Sequence, residues 1–261
     1  MITSKTNGQL KNVRKLLDTS KARKEQGLFV IEGSKMVFEL PTSFAEHVFV
    51  SESFLKEKKI NEEEFASKYK AFDVVSDEVF KSISDTVTPQ GILALVNIAA
   101  LKRAKDLKNN QAKENEKQTI LILDGIQDPG NLGTMIRTAE AAGISAVVMS
   151  KDCADIYNPK TIRSTMGSIF RVPTYTCDCI EKISELKKDG FSIYAAALDG
   201  AVAFNEIEYA KKSVLVIGNE ANGISKEVLE NSDVKVKIPM EGKVESLNAA
   251  VSAAVLMYHL K

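Results

Sequence analysis

Tryptophan is absent from the 261 residues, histidine occurs twice and cysteine three times. His47 and His259 lie far apart, and the cysteines are Cys153, Cys177 and Cys179. A structural zinc site takes four Cys or His ligands at close spacings, so no metal is expected. The Cys177-x-Cys179 pair has no accompanying ligands and reads as incidental. An odd cysteine count without a framework reads as thiols kept reduced in a cytoplasm. No apolar run approaches the roughly 20 residues of a membrane span, and the start, MITSKTNGQLKNVRK, has no apolar segment of the kind a secretory signal carries. Charge of either sign is not in excess: 35 Lys and Arg balance 35 Asp and Glu. Any nucleic-acid binding must therefore come from local patches. GxxxxGK[ST] is missing. GxGxxG is missing too, since the one comparable loop reads GIQDPGNLG, which disfavours a dinucleotide-dependent oxidoreductase.

The length allows two modest domains. Residues 1–30 hold seven bases against two acids. Asn12 to Leu17 look helical, and Ser20–Gln26 look like a basic loop before a strand at Leu28–Glu32. Such a run is either a solvated helix face or an arm that contacts phosphates with salt-sensitive affinity. Beyond it, helix Ser34–Leu40, strand Val48–Ser51, a helix over about 61–70, strand Ala71–Val75, helix Asp77–Ser82 and strand Ile92–Ile98 alternate. That alternation favours a small α/β sandwich. LKRAKDLKNNQAKENEKQ loses apolar content and reads as a linker. The expected organisation is a first domain over 1–105, a linker over 106–117 and a second domain over 118–261.

The second domain opens with strand Thr119–Leu123. Asn131 reads as the N-cap of helix Leu132–Ala142, and Gly143 as its stop. Strand Ser145–Met149 follows. Asn158 and Pro159 read as N-cap and first residue of a helix to about Ser168, bearing Lys160 and Arg163. Val172–Cys179 is too short to assign. Strand Phe191–Ala197 ends at Leu198-Asp199-Gly200. The tail reads as strand Ser213–Ile217, a loop GNEANG, a short helix, strand Val234–Ile238, a loop EGKVES and a helix over about Leu247–Leu260. Parallel strands gather such loops at one carboxyl edge, where open α/β sheets bind ligands. Glycines there let backbone N–H and C=O groups approach a flat ligand. The last helix is apolar nearly all round, which demands burial. One face should pack on the sheet and the other on a second subunit.

Three stretches, LDGIQDPGNLGTMIRTAEAAG, IGNEANGIS and IPMEGKVESLNAAVSAA, resemble the motifs of the SpoU (TrmH-type) RNA ribose 2′-O-methyltransferases. RKEQGLFVIEGSKMV and TPQGILALV look like signature segments of the short RNA-binding domain that precedes the catalytic one in that family. The likeness covers nearly the whole chain. It implies an α/β trefoil-knot (SPOUT) domain behind a smaller α/β sandwich domain, a homodimer formed through the C-terminal domain, and S-adenosylmethionine as cofactor. The substrate it implies is RNA, most often 23S ribosomal RNA. Rules of chain topology would argue against a knot, so that feature rests on the resemblance alone.

The resemblance also assigns roles. Arg137 matches the arginine of the first motif and would hold an RNA phosphate and stabilise developing charge. A guanidinium stays charged near neutral pH, so positioning is favoured over proton abstraction. Asn131 would share that site, a role compatible with capping. Glu220, otherwise a loop or capping acid, would order the loop or the target nucleotide. Ser246 and Asn248, otherwise a helix cap and a polar-strip residue, would lie beside the methionine moiety and the ribose. The cofactor would meet Leu198, Gly218, Asn219, Gly223, Ile238, Met240, Ser246 and Leu247, with Met240 read most simply as packing. Arg14, Lys21, Arg23, Lys24, Lys160 and Arg163 would form the basic RNA-binding surface. A non-catalytic RNA-binding or ribosome-assembly factor on the same fold is the competing reading, and failure to bind S-adenosylmethionine would favour it.

Overall fold

A computed structural model of the chain describes residues 1–60, 62–109 and 117–260. The first half runs α1 (Gly8–Asp18), α2 (Ser20–Gln26), β1 (Leu28–Glu32), α3 (Ser34–Glu39), β2 (Ala45–Ser51), α4 (Glu52–Lys58), α5 (Glu62–Lys68), β3 (Phe72–Val75), α6 (Asp77–Lys81), β4 (Ile92–Asn97) and α7 (Ile98–Asn109). The second runs β5 (Gln118–Asp124), α8 (Pro129–Ala141), β6 (Ala146–Met149), α9 (Pro159–Thr165), β7 (Thr174–Thr176), α10 (Cys179–Lys188), β8 (Ser192–Ala196), β9 (Val202–Ala203), β10 (Lys212–Gly218), α11 (Lys226–Glu230), β11 (Val234–Lys237) and α12 (Ala249–His259). Contacts divide the chain into two units, Met1–Ala104 with Tyr157–Phe170, and Lys105–Ile156 with Arg171–Lys261. The Tyr157–Phe170 segment, expected within the second domain, thus has its contacts in the first unit. Of the expected linker, 106–109 continue α7 and 110–116 lie outside the described residues.

The first unit is built on a four-stranded mixed sheet, order β1-β4-β2-β3, in which only β2 and β3 pair parallel. Its core gathers Leu10, Val13 and Leu16 of α1, Phe49, and Val79 and Phe80 of α6. The expected basic loop at Ser20–Gln26 is helical instead. Thr19 caps it by accepting from the Ala22 N–H, and Gly27 ends it at φ 64°. Those end signals and the docking of Arg23 on α1 replace the missing apolar periodicity. α9 packs on β1, and Tyr157 stacks on Phe29 at 4.7 Å between ring centroids.

The second unit is a seven-stranded, wholly parallel sheet, order β7-β6-β5-β10-β8-β11-β9. The expected α/β class holds, with β7 and β9 added. Central strands bury both faces and so read as continuous aliphatic runs; Val214 to Ile217 are all buried. α12 packs on α8 and β10 through Ala250, Ala253, Leu256 and Met257. Its other side stays open, with Val251, Val255 and Tyr258 exposed. All-round burial is therefore not met within one chain. Among the described residues, no helix is long and apolar enough to cross a membrane.

Candidate active site

The central position of β10 decides where a site can form. It lies between β5 and β8, in register from Lys212↔Gln118 to Gly218↔Asp124, so the loops after β5, β8, β10 and β11 emerge together at one carboxyl edge. The last three of these loops, with the start of α12, enclose a cleft of about 520 Å³, within the range of about 300–1,000 Å³ usual for small-molecule sites. Leu198, Gly218, Asn219, Gly223, Ile238, Met240, Ser246 and Leu247, the residues expected to meet a cofactor, all line it, and Glu220 does too.

The loop after β10 is folded back on itself. Asn219 and Gly223 exchange backbone hydrogen bonds at 2.8 and 2.9 Å. The Asn219 side chain accepts from the N–H groups of Ala221 and Asn222 and donates to the Gly125 carbonyl at 2.7 Å. Its amide is thus occupied in tying two loops together. Gly218 sits where this turn closes. A Cβ there would lie 2.2 Å from the Gly223 carbonyl carbon and from the Ile224 nitrogen, a separation no side chain can take up. The Asp124 carboxylate accepts from the Ser225 N–H at 2.7 Å, and Ser150 accepts from Gly125 N–H at 2.8 Å.

Beside the cleft a relay joins three of the expected catalytic residues. Asn248, not Ser246, caps α12: its Oδ1 accepts from the N–H groups of Ala250 and Val251. That fixes the amide, so Nδ2 donates to Asn131 Oδ1 at 3.1 Å. Asn131 Nδ2 in turn donates to Glu220 Oε1 at 3.0 Å. Glu220 also accepts from the backbone N–H groups of Gln127 and Asp128. Partial burial alone would push the Glu220 carboxyl up, but the hydrogen bonds from Asn131 and the backbone outweigh it and hold the group below the ordinary carboxylate range. Each amide orientation follows from its neighbour, from the helix cap at one end to the carboxylate at the other.

Asn131 does not cap α8, as the sequence had suggested. Asp128 does, accepting from the Asn131 N–H at 2.8 Å, with Pro129 at the first turn. The Asp-Pro pair carries that signal. Sequence reasoning also missed Gln127, whose side chain donates to the Asp152 carbonyl at 2.6 Å, and Asp199, Lys235, Lys237 and Glu245, which line the cleft. Arg137 stands apart. It is exposed on α8, outside the cleft lining, about 9 Å along the axis from Asn131 at 1.5 Å per residue.

The expected RNA-binding cations differ in their surroundings, and the buried Arg23 is a correction. Arg23 is 3% exposed and donates to the Leu16 and Leu17 carbonyls, satisfying the end of α1 rather than meeting RNA. Arg14 donates to the backbone and hydroxyl oxygens of Ser82, so it too is held by its own domain. Arg163 pairs with Asp85, and Lys21 lies 3.8 Å from Glu25. Lys21, Lys24 and Lys160 are exposed. Among the described residues no His, Cys, Asp and Glu cluster suits a metal. Burial pushes the Cys179 thiol up to about 12.

The model of the SpoU rRNA Methylase family matches residues 118–258, and that of the MRM3-like substrate binding domain matches residues 7–94. The chain belongs to the SpoU rRNA methylase family. It is 36% identical over its whole length to the 23S rRNA (guanosine(2553)-2′-O)-methyltransferase RlmP of Bacillus subtilis, covering 98% of that protein. It is 31% identical over 206 residues to the 23S rRNA (guanosine-2′-O-)-methyltransferase RlmB of Xanthomonas axonopodis pv. citri, covering 78% of this chain and 83% of that one. The AdoMet-bound rRNA methyltransferase of Sinorhizobium meliloti superposes with a TM-score of 0.83 at 27% identity, over 99% of this chain and 96% of that one. The SpoU match spans the loops after β5, β8, β10 and β11 and the relay, and the substrate-domain match spans the four-stranded sheet through Ala94.

Proposed function

We infer that this SpoU-family protein transfers a methyl group from S-adenosylmethionine to a ribose 2′-hydroxyl of 23S ribosomal RNA. The observation that carries the reading is the convergence of all eight expected cofactor residues on one cleft, next to a fixed Glu220–Asn131–Asn248 relay. The cleft suits the cofactor on its own terms. Its walls combine apolar Leu198, Ile238 and Met240 with glycine backbone at Gly218 and Gly223, which accepts a flat adenine. The cofactor supplies an electrophilic sulfonium methyl.

The protein's own work is alignment and charge placement. Backbone groups at Gly218, Ile238 and Leu247 hold the adenosine, and Ser246 stands at the cleft wall. Asn131 and Asn248 present uncharged donors and acceptors to a ribose, which the 2′-hydroxyl lets the enzyme tell from deoxyribose. Arg137, exposed and in reach of solvent-borne RNA, would hold an RNA phosphate and stabilise charge as the hydroxyl gives its proton to that phosphate. Alignment of this kind can supply on the order of 7–11 kcal/mol at best.

The exposed apolar stripe Val251, Val255 and Tyr258 on α12 supports a homodimer through the C-terminal unit, since a second copy would complete the burial that so apolar a helix requires. The decisive experiment combines calorimetry with S-adenosylmethionine and 2′-O-methyl mapping of rRNA from a deletion strain and its parent. Micromolar binding and one missing 23S methyl group are expected. No binding at millimolar cofactor would replace the reading with that of a non-catalytic RNA-binding factor.

A further inference from the structure

The first unit has a cleft of its own, of about 470 Å³, built where two segments far apart in sequence meet. Gln90, in the turn before β4, accepts through Oε1 from both the N–H and the hydroxyl of Ser34, each at 2.9 Å. With the oxygen committed, the Gln90 Nε2 is left as the donor. Gly91 seals the junction at φ +83°: a Cβ there would lie 2.4 Å from Ser51 Oγ and 2.9 Å from Phe54 Cβ. The opposite wall carries Asp77, whose Oδ1 accepts from the Ser53 N–H at 3.1 Å and hydroxyl at 2.7 Å. The Ser53 hydroxyl holds the Asp77 carboxyl below its ordinary range, so Oδ2 is an ionised acceptor near neutral pH. Phe54 and Phe80 form an apolar floor. Lys58 and Lys81, both exposed, stand at the rim without an ion-pair partner among the described residues.

An amide donor, a carboxylate acceptor, an apolar floor and two rim cations make up the recognition set for a nucleotide. The Watson–Crick edge of guanine offers two N–H donors beside one carbonyl acceptor, the complement of a carboxylate and an amide N–H. Proteins read RNA sequence mainly from unstacked bases whose edges are open. We propose that this cleft of the N-terminal unit holds one unstacked guanosine of the RNA substrate, its base edge on Asp77 and Gln90 and its phosphate at Lys58 and Lys81. This nucleotide is separate from the one methylated. The inference rests on the RNA-methylation reading, and it makes the first unit a reader of one base rather than only a patch of positive charge.

The test uses the full-length protein, S-adenosylmethionine and 23S rRNA from a deletion strain. Two measurements run side by side: steady-state methylation, and photo-crosslinking to the same RNA transcribed with 6-thioguanosine, mapped by mass spectrometry. Gln90→Leu is expected to raise the KM for RNA about five- to tenfold, as for loss of one hydrogen bond. Its kcat and its affinity for the cofactor should stay unchanged. Crosslinked peptides are expected to contain Ser53–Lys58 or Thr88–Gly91. Should Gln90→Leu fold poorly through loss of the Ser34 contact, Lys58→Ala combined with Lys81→Ala carries the kinetic arm, with the same direction of change in KM. Wild-type KM in the folded variants, or crosslinks confined to other segments, overturns the guanosine cleft while leaving the methylation reading intact. A wild-type protein that neither binds the cofactor nor methylates the RNA overturns the methylation reading itself.

Discussion

Replacing Gly218 by alanine adds one methyl group at the point where the loop after β10 turns back against its own strand. The added carbon would lie 2.2 Å from the Gly223 carbonyl carbon and the Ile224 nitrogen and 2.5 Å from the Gly223 oxygen. These are backbone atoms, so no rotamer change relieves the overlap, and the turn must open. Opening it breaks the two backbone bonds between Asn219 and Gly223. At roughly 0.5–1.5 kcal/mol net each they account for about 1–3 kcal/mol, and overpacking adds a comparable 1–3 kcal/mol. A domain of ordinary stability, about 5–15 kcal/mol, survives that loss, but the cleft wall moves. The expected result is a folded Gly218→Ala protein with a lowered Tm and cofactor affinity reduced at least tenfold by calorimetry. Gly242→Ala is the control, because nothing lies within 4 Å of a Cβ at that position, and it should bind normally. If Gly218→Ala matches wild type in both Tm and cofactor affinity, the close approach is not what shapes the cleft.

Three further outcomes follow from the same geometry. Arg137→Ala should abolish turnover, measured by tritiated methyl incorporation into RNA, while cofactor affinity stays within about twofold, because Arg137 lies outside the cleft lining; normal methylation would end its assigned role. Glu220 has a carboxyl held below its ordinary value of 4.5, so its contribution is complete above that value and is lost as pH falls through the depressed one. Cofactor affinity of the wild type should therefore weaken below about pH 4.5, whereas Glu220→Gln should show a flat profile with affinity already reduced; parallel profiles would detach Glu220 from loop order. The proposed homodimer predicts that wild type sediments as a dimer and that Val251→Glu combined with Val255→Glu sediments as a monomer, since both residues are exposed on α12; a monomeric wild type, or an unaltered dimer in the variant, would refute that interface.

What could be read in advance, and what could not, divides along physical lines. β10 was legible because a central parallel strand carries a continuous aliphatic run, here Val214–Ile217, and β11 because Val234, Val236 and Ile238 alternate with lysines and stop at Pro239. The glycines and small polar residues that follow them marked the loops of the cleft. α2 was not legible: seven residues with three bases have no apolar stripe, and the helix stands on Thr19, Gly27 and the buried Arg23. Short helices depend on such tertiary support. Charge in a sequence also does not show whether a guanidinium will be spent on the protein's own carbonyls, as it is for Arg14 and Arg23. The capping residue of α8 was misplaced because Asp128 and Asn131 are both good caps, and the proline between them decides.

The relay explains why residues 131, 220 and 248, scattered through the second half of the chain, behave as one object. Glu220 accepts from the loop after β5 at Gln127 and Asp128 and from Asn131 on α8, so the β10 loop cannot move without pulling on the first loop. Asn248 closes the set by capping α12 while holding Asn131. The wall that holds the adenosine in the proposed mechanism and the amides that face the ribose are then parts of one hydrogen-bonded frame. Loss of any member should be felt at both ends, as a paired change in cofactor affinity and RNA turnover. Arg137, which reaches out from α8 beyond that frame, should instead separate the two, and this contrast between coupled and uncoupled residues distinguishes a preorganised frame from three independent contacts.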